Sequence, residues 1–154
     1  MARIEGIFTT TAAGEPMIEH QSARAIAGQG LEGDRYVLET GFYSDGKDGR
    51  QITLIEREAL QALQTDHGVK LLPIECRRNL MTSGVRLNDL VGKRFRVGEV
   101  EFEGIRLCPP CNHLEDLTRP GMLRGLAHSG GLRAHVLNDG VITVGDTVTV
   151  EDSA

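Results

Sequence analysis

Apolar and polar residues alternate with period two over several short stretches of the chain. Residues 100–107 read Val-Glu-Phe-Glu-Gly-Ile-Arg-Leu, the pattern of a strand with one buried face. Further strands are predicted near 4–8, 51–55, 95–97, 132–137, 141–144 and 147–150, with another extended piece over 17–25. Turn residues separate them: Gly98 before the long strand, then Asn138-Asp139-Gly140 and Gly145-Asp146. One stretch carries a clear helical period. Over residues 56–64, Ala59, Leu60 and Leu63 form an apolar stripe, no Gly or Pro interrupts it, and Gly68 supplies a stop. Shorter helical candidates lie at 112–117 and 122–128, the second just after Pro120. Short strands with few short helices predict a mainly β fold, a mixed β-barrel with helical decorations.

Length and composition narrow this picture. A chain of 154 residues suits one domain over 1–154 and is long enough to bury a core without staples. Its 19 glycines and 4% aromatic residues fit many turns between short strands. The net charge of −5 argues against general nucleic-acid binding, so an anionic ligand needs a local arginine cluster. No apolar run approaches the ~20 residues of a membrane span. Three cysteines is an odd count. The start, Met1-Ala2-Arg3-Ile4-Glu5, goes directly into strand-like sequence, so a reducing cytoplasmic location is expected.

The densest chemistry is Cys108-Pro109-Pro110-Cys111, at the end of the 100–107 strand and followed by Asn112-His113. A thiol at a strand end near Arg106 is placed to ionise, and the thiolate is both nucleophile and soft-metal ligand. Three other readings of the pair stand beside that one. It is two small core residues, a zinc half-site completed by Cys76, His113 or His128, or a redox dithiol. Structural zinc usually shows two short-spaced ligand pairs, and the second is missing here. A thioredoxin-type pair opens a helix in a βαβ context, whereas this one follows an antiparallel-looking strand. Gly28-x-Gly30-x-x-Gly33 has dinucleotide-loop spacing, but no parallel strand precedes it and no helix clearly opens from it. The arginines are more suggestive as a set. Arg77-Arg78-Asn79, Arg106 and Arg133 after Gly130-Gly131 are the forks and backbone amides that hold phosphate and planar heterocycles, provided the barrel brings them together.

Taken in order, these pieces resemble the MOSC domain family, named for the C-terminal domain of molybdenum cofactor sulfurases. The matching stretches begin with Gly30-Leu31-Glu32-Gly33-Asp34-Arg35, Gly49-Arg50-Gln51-Ile52-Thr53-Leu54-Ile55 and Arg77-Arg78-Asn79-Leu80. They continue through Val91-Gly92-Lys93-Arg94-Phe95-Arg96-Val97-Gly98, Pro110-Cys111, Gly130-Gly131-Leu132-Arg133-Ala134 and Gly140-Val141-Ile142-Thr143-Val144-Gly145-Asp146. Their order and spacing cover nearly the whole chain and look like a small stand-alone bacterial-type member. The resemblance implies a mixed barrel of the MOSC, pyruvate-kinase β-barrel-like class, with a pocket for the molybdenum cofactor (molybdopterin). By motif, Cys111 matches the cysteine that ligates molybdenum or carries sulfur. Arg77 and Asn79 match an Arg-x-Asn element near the cofactor, and Gly130, Gly131 and Arg133 match a glycine-rich anion loop. Cys108 lies outside the family pattern.

The resemblance therefore implies a molybdenum-cofactor-binding oxidoreductase that reduces N-hydroxylated small molecules. A chain of this length has no room for a pyridoxal-phosphate desulfurase domain and lacks the cysteines of a fused iron–sulfur domain. Reduction then needs an external electron donor. The alternatives are a persulfide carrier on Cys111, fed by a separate cysteine desulfurase, and a thiol-redox or zinc module.

Overall fold

The computed structural model describes residues 2–11, 15–34, 51–68, 70, 72–107 and 131–151. The strands are β1 (Arg3–Thr9), β2 (Ile18–His20), β3 (Ser22–Ile26), β4 (Gly30–Leu31), β5 (Ile52–Glu56), β6 (Leu80–Ser83), β7 (Arg94–Val97), β8 (Val100–Leu107), β9 (Leu132–Val136), β10 (Gly140–Thr143) and β11 (Val148–Val150), of which β4 and β6 are not among those the alternation predicts. Eight of them form one sheet in the order β11-β7-β8-β9-β5-β6-β1-β2. The sheet curls until its β11 end meets the start of β1. Arg3 bridges Thr147, while Ile4 N donates to Asp146 O (2.9 Å) and Val148 N to Ala2 O (2.9 Å). A second sheet, β10-β3-β4, packs onto the barrel interior through Ala25, Leu31 and Ile142. The architecture is thus the mixed, mainly β barrel that the patterning predicts.

Alternation decides which way each strand faces. In the β7–β8 hairpin, Phe95, Val97, Val100 and Phe102 point inward, and Phe95 stacks on its Cα partner Phe102 with ring centroids 5.3 Å apart. Ile4, Ile7, Ile52, Leu54, Leu80, Leu132, Ala134 and Val136 complete this interior core. The 17–25 stretch divides into two strands instead of one. β2 pairs with β1 in the large sheet, and β3 joins the small one after Gln21, whose carbonyl accepts from Val144 N (2.9 Å).

β5 is buried on both faces and pairs in parallel with β6, which requires a crossover. Helix α1 (Arg57–His67) supplies it, running three residues beyond the predicted end at Gln64. It stops at Gly68, whose left-handed φ of 67° lets its N–H cap Gln64 O (3.0 Å). Ala59, Leu60 and Leu63 lay the predicted stripe on the outer face of the sheet. There they meet Phe8, Met17, Ile55, Cys76 and Met81 in a second core. The Gly28–Gly33 spacing sits in the antiparallel β3–β4 pair, not after a parallel strand. The helical candidates at 112–117 and 122–128 lie outside the described residues. Among the described residues, no helix is long and apolar enough to cross a membrane.

Candidate functional site

Beside the second core, the outer face of the sheet turns polar. Thr53 of β5 and Arg133 of β9 are Cα partners, and Arg133 is also the partner of Arg106 on β8. Cross-strand partners project to the same face, so Arg106, Arg133 and Thr53 form a row across three strands. Thr53 is completely buried, and its only polar outlet is the loop before β6. There Asn79, also completely buried, acts as a stitch. Asn79 Oδ1 accepts from Thr53 N (3.0 Å) and Thr53 Oγ1 (3.2 Å), and Asn79 Nδ2 donates to Phe8 O (3.1 Å). Its backbone N–H reaches Thr53 O (3.1 Å), and its carbonyl accepts from Phe8 N (2.7 Å). One side chain thus ties β1, β5 and the β6 approach together, as buried polar groups require.

The adjoining arginines diverge. Arg77 has φ 63°, the one positive-φ non-glycine residue among those described, and its Nη1 donates to Glu15 O. Arg78 is buried, as is Arg133. Arg78 lies against Gly131, where a methyl group would come within 3.4 Å of Arg78 Nε. That methyl would also stand 2.1 Å from Leu54 O, and Gly131 has φ 122°, so only glycine fits this close crossing of β9 over β5. The register then places the strand end that leads to the cysteines. Leu107, the last residue of β8, is the Cα partner of Leu132, one residue after Gly131. Asp34, completely buried, accepts from Thr10 N (3.1 Å) at the far end of β1.

The structure places Asn79 against Thr53, the Cα partner of Arg133, and Arg78 against Gly131, whereas the Arg77 side chain reaches Glu15 O before β2. Cys108, Cys111 and Gly130 lie outside the described residues. Thr53 is an additional member, while Asp34 bonds Thr10 N beyond the end of β1. Thr53 has a sequence signal, as the lone hydroxyl inside the apolar run Ile52-Thr53-Leu54-Ile55. Arg78 belongs to the arginine set singled out in the sequence, where nothing local distinguishes it from Arg77. Cys76 is buried in the second core, where its thiol donates to Pro73 O (2.9 Å). Among the described residues, no three His, Cys, Asp or Glu side chains are grouped to hold a metal ion.

A different polar cluster marks the barrel seam. Glu5 Oε1 accepts from Ser83 Oγ (2.6 Å) and Arg3 Nε (2.9 Å), with Arg57 Nη1 at 3.3 Å. The Ser83 hydroxyl first, and Arg3 second, hold its carboxyl below the ordinary value of 4.5. An open cleft of about 550 Å³ lies here, lined by Arg3, Arg57, Glu58, Ser83, Gly84, Gly145 and Thr147. Its two arginines both contact Glu5, and Glu58 also lines it, so it has no excess of positive charge for an anion. Glu56, at the start of α1, is pushed up by burial, against the Leu87 N–H that its carboxylate accepts at 3.3 Å.

Residues 43–149 match the family model of the MOSC domain. Among solved structures, the chain is similar to the YuaD protein from Bacillus subtilis at 18% identity and a TM-score of 0.82, covering 100% of this chain and 98% of that one. It is also similar to YiiM from Geobacillus stearothermophilus, at 15% identity and a TM-score of 0.71, covering 99% of this chain and 76% of that one. For YiiM from Escherichia coli the identity is 17% and the TM-score 0.67, with coverage of 99% and 71%. At these identities the likeness concerns the fold. No curated protein matches the chain in sequence.

Proposed function

The chain belongs to the MOSC domain family, and from that premise we propose that it is a molybdenum-cofactor-binding oxidoreductase acting on N-hydroxylated small molecules. The observation that carries this reading is the convergence of Arg78, Arg133 and Gly131 at the end of the β5–β9 face, next to the strand that runs into Cys108 and Cys111. This donor set fits a cofactor that bears a phosphate and a planar pterin. Guanidinium forks match both groups, and buried arginines in a chain of net charge −5 mark a local reversal of sign.

When bound, the cofactor supplies a two-electron redox centre able to accept the oxygen of an N–O bond. Reduction of an N-hydroxyl group to the amine consumes two electrons and two protons and releases water, and the electrons come from an external donor. In this assignment Cys111 is the thiolate ligand to the metal. Arg133 and the Gly130–Gly131 backbone hold the anionic part of the cofactor, with Arg77 and Asn79 as the neighbouring Arg-x-Asn element. Asn79 acts through its bonds to Thr53 and Phe8, which fix the approach to β6.

The test compares the two cysteines. Cys111→Ser abolishes reduction driven by a chemical electron donor, because a hydroxyl is a harder and far less acidic ligand than a thiol. Cys108→Ser keeps most of the activity. Equal loss in both variants, together with a reversible Cys108–Cys111 disulfide, would replace this reading with thiol redox chemistry. A gain of one sulfur on Cys111 in metal-free protein would replace it with persulfide carriage.

A further inference from the structure

Helix α1 begins with two carboxylates that the candidate site does not use. Glu56 stands at its N-cap, yet the side chain makes no capping bond to the helix. Its Oε2 instead accepts from Leu87 N (3.3 Å), and Glu58 Oε2, in the first turn, accepts from Gly84 N (2.8 Å). Both reach out of the helix to the connection that follows β6. That connection leads into one 3-10 turn, Leu87–Leu90, whose Leu87 and Leu90 side chains are buried in the interior core. The two ends of this plug are held differently. At its far end the backbone interlocks with β8, where Gly92 N donates to Gly104 O (2.8 Å) and Gly104 N to Lys93 O (2.9 Å). A Cβ on Gly104 would stand 2.0 Å from Leu90 O, so the contact there is backbone against backbone. At its near end the carboxylates of α1 hold it, and Gly84, with φ 76°, supplies a hinge. Glu56 closes β5 two residues beyond Leu54, whose partner Leu132 also pairs with Leu107, the last residue of β8. The hinge therefore lies at the end of the sheet where β8 stops.

We propose that Leu87–Leu90 is a hinged plug latched to α1 by Glu56 and Glu58, and that a proton on Glu56 tightens the latch. Glu56 is half-buried, and burial is the largest influence on its carboxyl, which titrates above the ordinary value of 4.5. Glu58 on α1 and Asp89 on the plug push it the same way. The Leu87 N–H and the Arg86 guanidinium favour the ionised form. The net direction is upward, so desolvation outweighs the bond to Leu87. Lifting the near end of the plug hydrates Glu56 and removes that penalty. The open form therefore binds this proton less tightly than the closed form. Opening is least favoured below the ordinary value, grows as the pH rises above it, and levels off beyond the raised value of the closed form. None of this depends on the cofactor reading.

Amide hydrogen exchange of the full chain tests the latch, corrected for the intrinsic pH dependence of exchange and with residues 100–107 of β8 as internal reference. In wild type, protection over residues 84–90 is expected to fall relative to β8 as the pH is raised from about 4.5 to about 8. Glu56→Gln keeps an acceptor for Leu87 N and removes the charge. Its protection is expected to match that of wild type in acid and to stay flat across the range. Glu58→Ala cuts the other tether and is expected to speed exchange over 84–90 by about fivefold at neutral pH, with a slope against pH remaining. Flat protection in wild type would overturn the role of Glu56, and that series needs no variant to fold. A slope that survives Glu56→Gln would overturn it as well. Exchange unchanged by Glu58→Ala would overturn the latch itself.

Discussion

Two polar clusters lie on the outer face of the same curled sheet, and they are built on opposite principles. Around Asn79 and Thr53 both side chains are sealed from water and held by neutral hydrogen bonds to neighbouring strands. Around Glu5 the ionic partners are charged and half-exposed, beside the buried Ser83 hydroxyl. Three donors crowd a single carboxylate oxygen, and Arg3 and Arg57 keep 57% and 43% of their side-chain surface exposed. Both clusters join β1 to its surroundings. The first does so where water cannot compensate for a missing partner, the second where it can. The buried cluster adjoins Arg78, Gly131 and Arg133, and the exposed one closes the seam. A rigid wall next to the candidate site, and an adaptable closure away from it, follow from that contrast.

Breaking the buried cluster has the largest effect. Asn79→Ala removes the partners of Thr53 N and Phe8 O in a place water does not reach, and the expected loss is about 3–5 kcal/mol, read as a fall in the urea midpoint. A loss below about 1 kcal/mol would mean that the strands hold each other without the stitch. Thr53→Val sharpens the comparison by keeping shape and deleting one hydroxyl. Asn79 Oδ1 still accepts from Thr53 N and Asn79 N still donates to Thr53 O, so the expected cost is about 1–2 kcal/mol in the same measurement.

Glu5→Gln is the mildest change, at most about 1 kcal/mol at neutral pH because its partners are largely solvated. Its signature is in pH and salt. The folded carboxyl titrates below the ordinary value of 4.5, so its contribution is fully present above that value and is lost as pH falls through the folded one. Melting curves of wild type and Glu5→Gln should converge once the pH has fallen through the lowered folded value, and also in high salt. A gap that persists at low pH would assign the effect to packing instead of charge.

The contrast also separates what the chain discloses locally from what it does not. Strict alternation over 100–107 and the stripe of Ala59, Leu60 and Leu63 specify their elements without help from elsewhere. The break at Gln21 is invisible in the sequence, because it is made by Val144 drawing the chain into a second sheet. The candidate site is legible as residue types and illegible as roles. Asn79 is an obvious polar residue at an element boundary, yet its partners are 26 and 71 residues away. Only the register of β1 and β5 reveals that its amide is spent on the fold. Arg77, unlike Arg78, holds a positive φ that no local residue preference encodes.

Molybdenum and pterin content bears most directly on the central claim. The protein is made in a host that loads its other molybdenum enzymes, and wild type is compared with Cys111→Ser. The expected result is about one molybdenum and one pterin per wild-type chain, with the metal lost from Cys111→Ser. Wild-type protein that carries neither from such a host, or equal molybdenum in both proteins, would contradict it.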